Sequence, residues 1–334
     1  MNQSGVMNNQ RMNEADVEDE DRIAAVVIFI AAFVGLIVNA FIVIYIRRLA
    51  VLRNSFGRLL QLQAIGDGIF VGVWAIYFAP VLLFDFKAVQ RIEVAARFGQ
   101  LCLICYDISI YSHLVISLNR FTSVFMPTHY KGIFTERFTT GLIAGIVLIS
   151  FGFSFFLVLV SCQMGFSIQQ WMLDYVTPPC NLIHVYYAEF LRGLIVITIF
   201  AIVNCCTFVR MILYHRKKAN NAFEATQQSK RRCVEKTFVQ QVTLQGALYV
   251  AELVTYFYVA TFFPVDLEHV TGGRNRWPNF LLTTYAWILV HTLDGVITLT
   301  FNKQFRRVFV QLFKRTKSTT VASRSASHFQ SAMD

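Results

Sequence analysis

Seven separate runs of about 20 or more mostly apolar residues constrain this chain more than any other feature. They lie over Ile23 to Ile46, Leu59 to Leu83, Gly99 to Val124, Phe138 to Gln163, Ala188 to Tyr214, Thr237 to Phe263 and Phe280 to Phe301. At about 1.5 Å per helical residue, each can cross a hydrocarbon core near 30 Å thick. Only helices or closed barrels satisfy their backbone in lipid, and these runs are too continuous for the alternating segments of about ten residues that barrels use. The sequence therefore predicts an all-α membrane protein, a seven-transmembrane helix bundle over residues 23–307. An acidic tail, 1–22, is expected to be disordered, and a basic Ser/Thr-rich tail follows at 308–334. Composition agrees, because 15% of the 334 residues are charged and mean hydropathy is +0.50, whereas a soluble domain carries about 25% charge.

The first run follows acidic residues and is stopped by Arg47 and Arg48, so it reads as a retained anchor rather than a signal peptide. Lysines and arginines set the orientation. With the N-terminus outside, the inner loops and C-terminal tail hold 21 of them and the outer segments 7. The C-terminus is therefore expected in the cytoplasm, and the formal charge of +10 is a topology signal rather than a nucleic-acid footprint. Asn2 opens a glycosylation sequon on the outer tail.

Charge within a span is costly, so it faces the bundle interior and has partners. Arg192 and Arg210 lie near helix ends, where snorkelling to the interface is expected, and Glu189 begins its helix. Asp67, Asp107, Glu252 and Asp294 have no such escape, and His113 and His291 accompany them.

Four segments carry a resemblance. SLNRFTSVFMPTHY (117–130) ends the third span, with Asn119-Arg120-Phe121 followed by Pro127. GLIVNAF places Asn39 in the first span, LQAIGD places Asp67 in the second, and HTLDGVITLTFNKQFRR closes the seventh with Asp294, Gly295 and Thr298. In order and each in its proper helix, these resemble the signature segments of rhodopsin-like G-protein-coupled receptors. Asn119-Arg120-Phe121 stands for their Asp-Arg-Tyr, and Asp294-Gly295 with Thr298 for their Asn-Pro-x-x-Tyr. YDISIYSHLVISLNRF together with LDGVITLTFN is similar to the nematode serpentine chemoreceptors, most closely serpentine receptor class X.

The resemblance implies a short amphipathic helix after the seventh span. It also implies convergence of Asp67, Ser109 and Asp294, beside Asn39 and His291, where related receptors hold a sodium ion; a hydrogen-bonded cluster tying the helices together would use the same residues. Tyr106, Asp107, Glu252, Tyr256 and Tyr285 are the ligand-pocket candidates by depth, though the tyrosines would equally serve ordinary packing. Cys102 and Cys180 are the candidates for the disulfide that staples this fold. Cys102 lies 18 residues before Arg120, deeper than usual, and Cys162 competes with it. In related receptors an acid holds the arginine until activation. Asn119 removes the adjacent acid, and Glu235 would supply the other half of the restraint.

No metal-protease motif, phosphate loop or other enzyme constellation is present. The expectation is a chemosensory receptor in the plasma membrane, in the sensory cilium of a chemosensory neuron, surrounded by lipid. It would bind a small odorant, pheromone-like molecule or peptide outside and activate a heterotrimeric G protein inside, without nucleic acid. The alternative is a small transporter or channel using the intramembrane acids as an ion pathway.

Overall fold

The structure, a computed structural model, describes residues 3–84, 92–159, 162, 164–175, 189–218, 225–263 and 276–311. Side chains at 3–16, 92, 157–159, 214–218 and 225–235 lie outside that description. Seven helices are long and apolar enough to cross a membrane. They are α1 (Val17–Arg48), α2 (Ser55–Phe84), α3 (Glu93–Phe125), α4 (Glu136–Phe156), α5 (Glu189–Leu213), α6 (Lys236–Phe262) and α7 (Arg276–Phe301). An eighth, α8, runs over 303–311.

Contacts run α1 to α2, α2 to α3, α3 to α5, α5 to α6, α6 to α7 and back to α1, with α4 outside this ring against α3 and α2. The polar residues of the spans point into the ring. Large apolar side chains such as Ile76, Leu148 and Phe155 are exposed on its outside, which is stable only in a bilayer. Gly35 brings α1 close to α7, because a Cβ there would lie 2.4 Å from Thr292 Oγ1. Phe305 is buried and packs near Phe41 of α1, so α8 is anchored by one apolar face. Residues 308–311 belong to α8, not to the tail; 312–334 lie outside the described residues.

The acidic tail departs from expectation. The first helix begins at Gln3 rather than Ile23, so residues 3–22 form helical turns. Glu18 pairs with Arg22 one turn later at 2.8 Å, and Asp21 reaches Arg276 of α7 at 2.5 Å. Glu18 and Arg22 stay exposed, whereas Glu20 and Asp21 are held to the fold by Arg276.

Strands β1 (Met164–Ser167) and β2 (Met172–Tyr175) form an antiparallel hairpin after α4. Its turn holds Trp171 at φ 53°, an uncommon conformation for a bulky residue. Burial compensates, for Trp171 is fully enclosed. Its Nε1 donates to Asp21 Oδ1 at 2.7 Å, and the Arg276 guanidinium lies 4.0 Å from its ring. The hairpin is thereby fixed over one end of the bundle. Within it, burial raises the Asp174 carboxyl above its ordinary range, against the pull of the Tyr175 amide it accepts.

The expected pairing of Cys102 with Cys180 fails at Cys102, which is a free thiol buried in the core. At that depth its side chain faces the helix interior rather than the loops. Among the described residues it is Cys162, just before β1, that is disulfide-bonded; Cys180 lies outside the described residues. Cys162→Ser is therefore expected to cost about 2–4 kcal/mol and most surface expression, whereas Cys102→Ser should be nearly silent. Equal losses from both, measured by surface labelling, would contradict this assignment.

Candidate functional site

Three helices build a polar cluster at mid-bundle. Asp67 of α2 accepts from Ser109 of α3 and faces His291 Nδ1 of α7 at 2.6 Å. Asp294 of α7 accepts from Gln63 of α2, and His113 Nε2 of α3 lies 3.1 Å from the same oxygen. All six side chains are buried. Asn39 of α1 donates to the carbonyls of Gly35 at 3.0 Å and His291 at 3.2 Å, joining α1 to α7. Gly295 lies against it, since a Cβ there would approach Asn39 Oδ1 to 2.7 Å.

The expected convergence of Asn39, Asp67, Ser109, His291 and Asp294 is present, and each carboxylate has its own histidine. Asp294 Oδ1, Gln63 Oε1 and Asn39 Oδ1 are buried in this cluster without a hydrogen-bond partner, oxygens of the kind that would meet a cation such as sodium. The hydroxyl and imidazole partners of Asp67 share its Oδ1, and the amide and imidazole partners of Asp294 share its Oδ2; among the described residues no group of three or more His, Cys, Asp or Glu could hold a metal. Toward α6, Thr298 Oγ1 accepts from Gln241 and Gln245, each at 3.0 Å, and Gln245 also reaches the Asp294 carbonyl at 3.1 Å. The residue standing for the family's tyrosine thus ties α6 to α7.

Nearer the hairpin lies a small cavity of about 30 Å³ between α3, α5, α6 and α7. Tyr106, Glu189, Arg192, Glu252, Tyr256 and Trp287 line it, and Met164 of β1 closes it. Arg192 lies within the bundle rather than snorkelling out. Its guanidinium pairs with Asp107 at 2.6 Å, bonds the Tyr111 hydroxyl at 3.0 Å and covers the Phe153 ring at 4.2 Å. Asp107 is consumed by that pair and does not line the cavity. Tyr285 also stays out, packing on Phe280 at 5.9 Å, because the helix turns its ring toward the hairpin side of the core. Tyr106, Glu252 and Tyr256 are where depth placed them.

At the far end of α3, Arg120 is 8% exposed, and its guanidinium lies 3.6 Å from the Phe56 ring of α2 and 4.9 Å from the Phe238 ring of α6. Its guanidinium is thus enclosed by aromatic rings rather than open to water. Asn119 exchanges hydrogen bonds with the Tyr130 hydroxyl at 3.2 and 3.3 Å, Phe121 stacks on Phe125, and Pro127 is exposed in the turn that follows. The Glu235 side chain lies outside the described residues.

With this geometry in place, residues 29–302 match the family model described as the serpentine type 7TM GPCR chemoreceptor Srx. The chain belongs to the Srx family. It is 67% identical over 300 residues to serpentine receptor class X 45 of Caenorhabditis elegans, covering 89% of this chain and 83% of that protein. Serpentine receptor class X-43 of the same nematode is 27% identical over 301 residues, with 86% of each chain covered. The fold resembles squid rhodopsin at a TM-score of 0.68 and 12% identity, over 90% of this chain and 87% of that one. The Srx assignment makes this a multi-pass membrane protein of a receptor family rather than an enzyme, and it sets aside the transporter alternative.

Four members of the Srx site were not assigned to it in the sequence: Gln63, His113, which was named only as a companion of the intramembrane acids, Arg192, which was expected to snorkel, and Trp287. A signal existed for each. Gln63 precedes Asp67 by four residues and His113 follows Ser109 by four, so each shares a helical face with a residue already singled out. Arg192 follows Glu189 by three. Trp287 precedes His291 by four and so carries the same mark.

Proposed function

We propose that this Srx receptor binds a small chemosensory ligand in the cavity between α3, α5, α6 and α7 and activates a heterotrimeric G protein at the Arg120 end. The cavity end faces outward and the C-terminus inward, in the plasma membrane of a chemosensory neuron, its sensory cilium included. The asymmetry of basic residues supports the orientation. The observation that carries the reading is a continuous interior link. Trp287 of the cavity packs on Phe70 at 4.9 Å, Phe70 lies 4.0 Å from the His291 ring, and His291 meets Asp67.

A ligand that displaces Trp287 therefore presses on the Asp67 cluster, one helical turn farther along α7. Gln245 and Thr298 carry the same helix pair toward Arg120. Tyr106 and Arg120 are 14 residues apart on α3, or about 21 Å of helix. A signal crossing that distance needs an element with two arrangements, and the α6–α7 contact through Thr298 is the element assigned that role.

Expressing the receptor with a panel of G-protein heterotrimers and screening odorants for nucleotide exchange tests the reading. Ligand-dependent exchange is expected, and it should disappear in Trp287→Ala while surface expression persists. A Trp287→Ala receptor that responds to the same ligand at unchanged concentration would refute this placement of the ligand.

A further inference from the structure

We infer that the ligand is a small organic cation that also carries a hydrogen-bond acceptor, and this rests on the cavity being the ligand site. The charge balance of the cavity points to it. Among the described residues Arg192 is the one cation in the wall, and Asp107 neutralises it from behind at 2.6 Å. Two further acids, Glu189 and Glu252, remain. Glu252 is 5% exposed, and its carboxylate has a single hydrogen bond, from the Tyr106 hydroxyl at 3.4 Å. Glu189 accepts from the Tyr175 hydroxyl at 2.5 Å. Among the described residues neither glutamate makes an ion pair.

A carboxyl in a low-dielectric cavity is either protonated or paired with a cation, and with Arg192 already held by Asp107 a cationic ligand supplies the pairing for Glu189 and Glu252. The remaining wall suits such a ligand. Tyr106, Tyr256, Phe257 and Trp287 present aromatic rings, whose faces attract a desolvated cation. An independent observation points the same way. Trp287, 7% exposed and lining the cavity, has its indole Nε1 buried with no hydrogen-bond partner. A buried donor left unpaired is uncommon in a folded protein, and a ligand oxygen would satisfy it. Carboxylate for the cation, rings around it and an indole N–H for an acceptor describe one molecule: an ammonium group a few bonds from a hydroxyl or carbonyl oxygen.

At about 30 Å³ the cavity has room for roughly one water, so the ligand must open it. The helices that would yield contain π-helical turns beside the wall, Thr255–Val259 in α6 and Leu281–Tyr285 in α7. Such turns break the regular ladder and recur at functional sites.

The test uses purified full-length receptor in detergent, with choline as probe beside its uncharged isostere, in which carbon replaces the quaternary nitrogen. Choline should raise the thermal unfolding midpoint saturably and the isostere should not. Glu252→Gln, which keeps the shape and removes the charge, should raise the half-saturating choline concentration about thirtyfold or more. Trp287→Phe should weaken choline but leave tetramethylammonium, which has no acceptor, unchanged. If Glu252→Gln does not fold, Glu189→Gln is read in its place. An equal response to the isostere, no response to choline or tetramethylammonium, or undiminished choline binding in the folded glutamate variant would each overturn the inference. The readout requires no G protein. Choline binding without coupling would therefore count against the proposed signalling and leave the ligand class standing.

Discussion

Arg192→Met is expected to be among the most damaging single changes outside the protein's backbone constraints, at about 3–5 kcal/mol, the range for removing one partner of a buried ion pair. Asp107 is 3% exposed in its side chain and faces Arg192 at 2.6 Å. Without the guanidinium its carboxylate would be left in the core with no described partner for its charge. Tyr111 would lose its hydrogen bond and Phe153 the cation over its ring. Asp107→Leu should be harmful for the converse reason, because it strands the arginine. The double variant should be far milder than either single change, since both charges leave together and apolar groups fill the space. Unfolding of such a protein is best read as a rate. If even half of the expected loss falls on the unfolding barrier, the half-life of the detergent-solubilised receptor shortens about tenfold or more. Losses that simply add in the double variant would show that the two residues act separately.

That pair also marks the limit of what the sequence discloses. The spans were legible because hydropathy averages over about 20 residues and tolerates error in facing; each of the seven predicted runs overlaps one of the seven helices. The mid-bundle cluster was legible in part, because intramembrane acids need partners wherever they lie. Direction around the helix was not. Arg192, three residues into α5, has the same sequence context whether it snorkels to the interface or turns inward to Asp107, and only packing decides. Cys102 failed for the same reason, its side chain pointing into the core rather than up to the loops. The acidic tail misled differently. Its composition resembles a disordered segment, but Asp21 meets Arg276 and Trp171 from elements more than 100 residues away, and no local window contains such contacts.

Arg120→Met is expected to abolish ligand-dependent coupling while leaving the protein folded. Arg120→Ala should lose expression as well, because the side chain is buried between Phe56 and Phe238 rather than lying in water. Methionine keeps the aliphatic stem among those rings and removes only the charge. In related receptors an acid beside the arginine restrains it. Here Asn119 is bonded to Tyr130, and the rings of Phe56 and Phe238, 4.9 Å apart, bring α2 and α6 together around the guanidinium. A cation over aromatic faces is worth about 0.5–2 kcal/mol according to how far it is desolvated. Phe238→Leu, which keeps an apolar contact but loses the ring, should then shift the resting population toward the active one by a few-fold to about thirtyfold. Ligand-independent nucleotide exchange measures that shift. The two variants must move in opposite directions, coupling lost with Arg120→Met and basal exchange raised with Phe238→Leu. If Phe238→Leu is as quiet as the parent receptor while equally expressed, the rings are packing alone and the restraint on Arg120 lies elsewhere on α6.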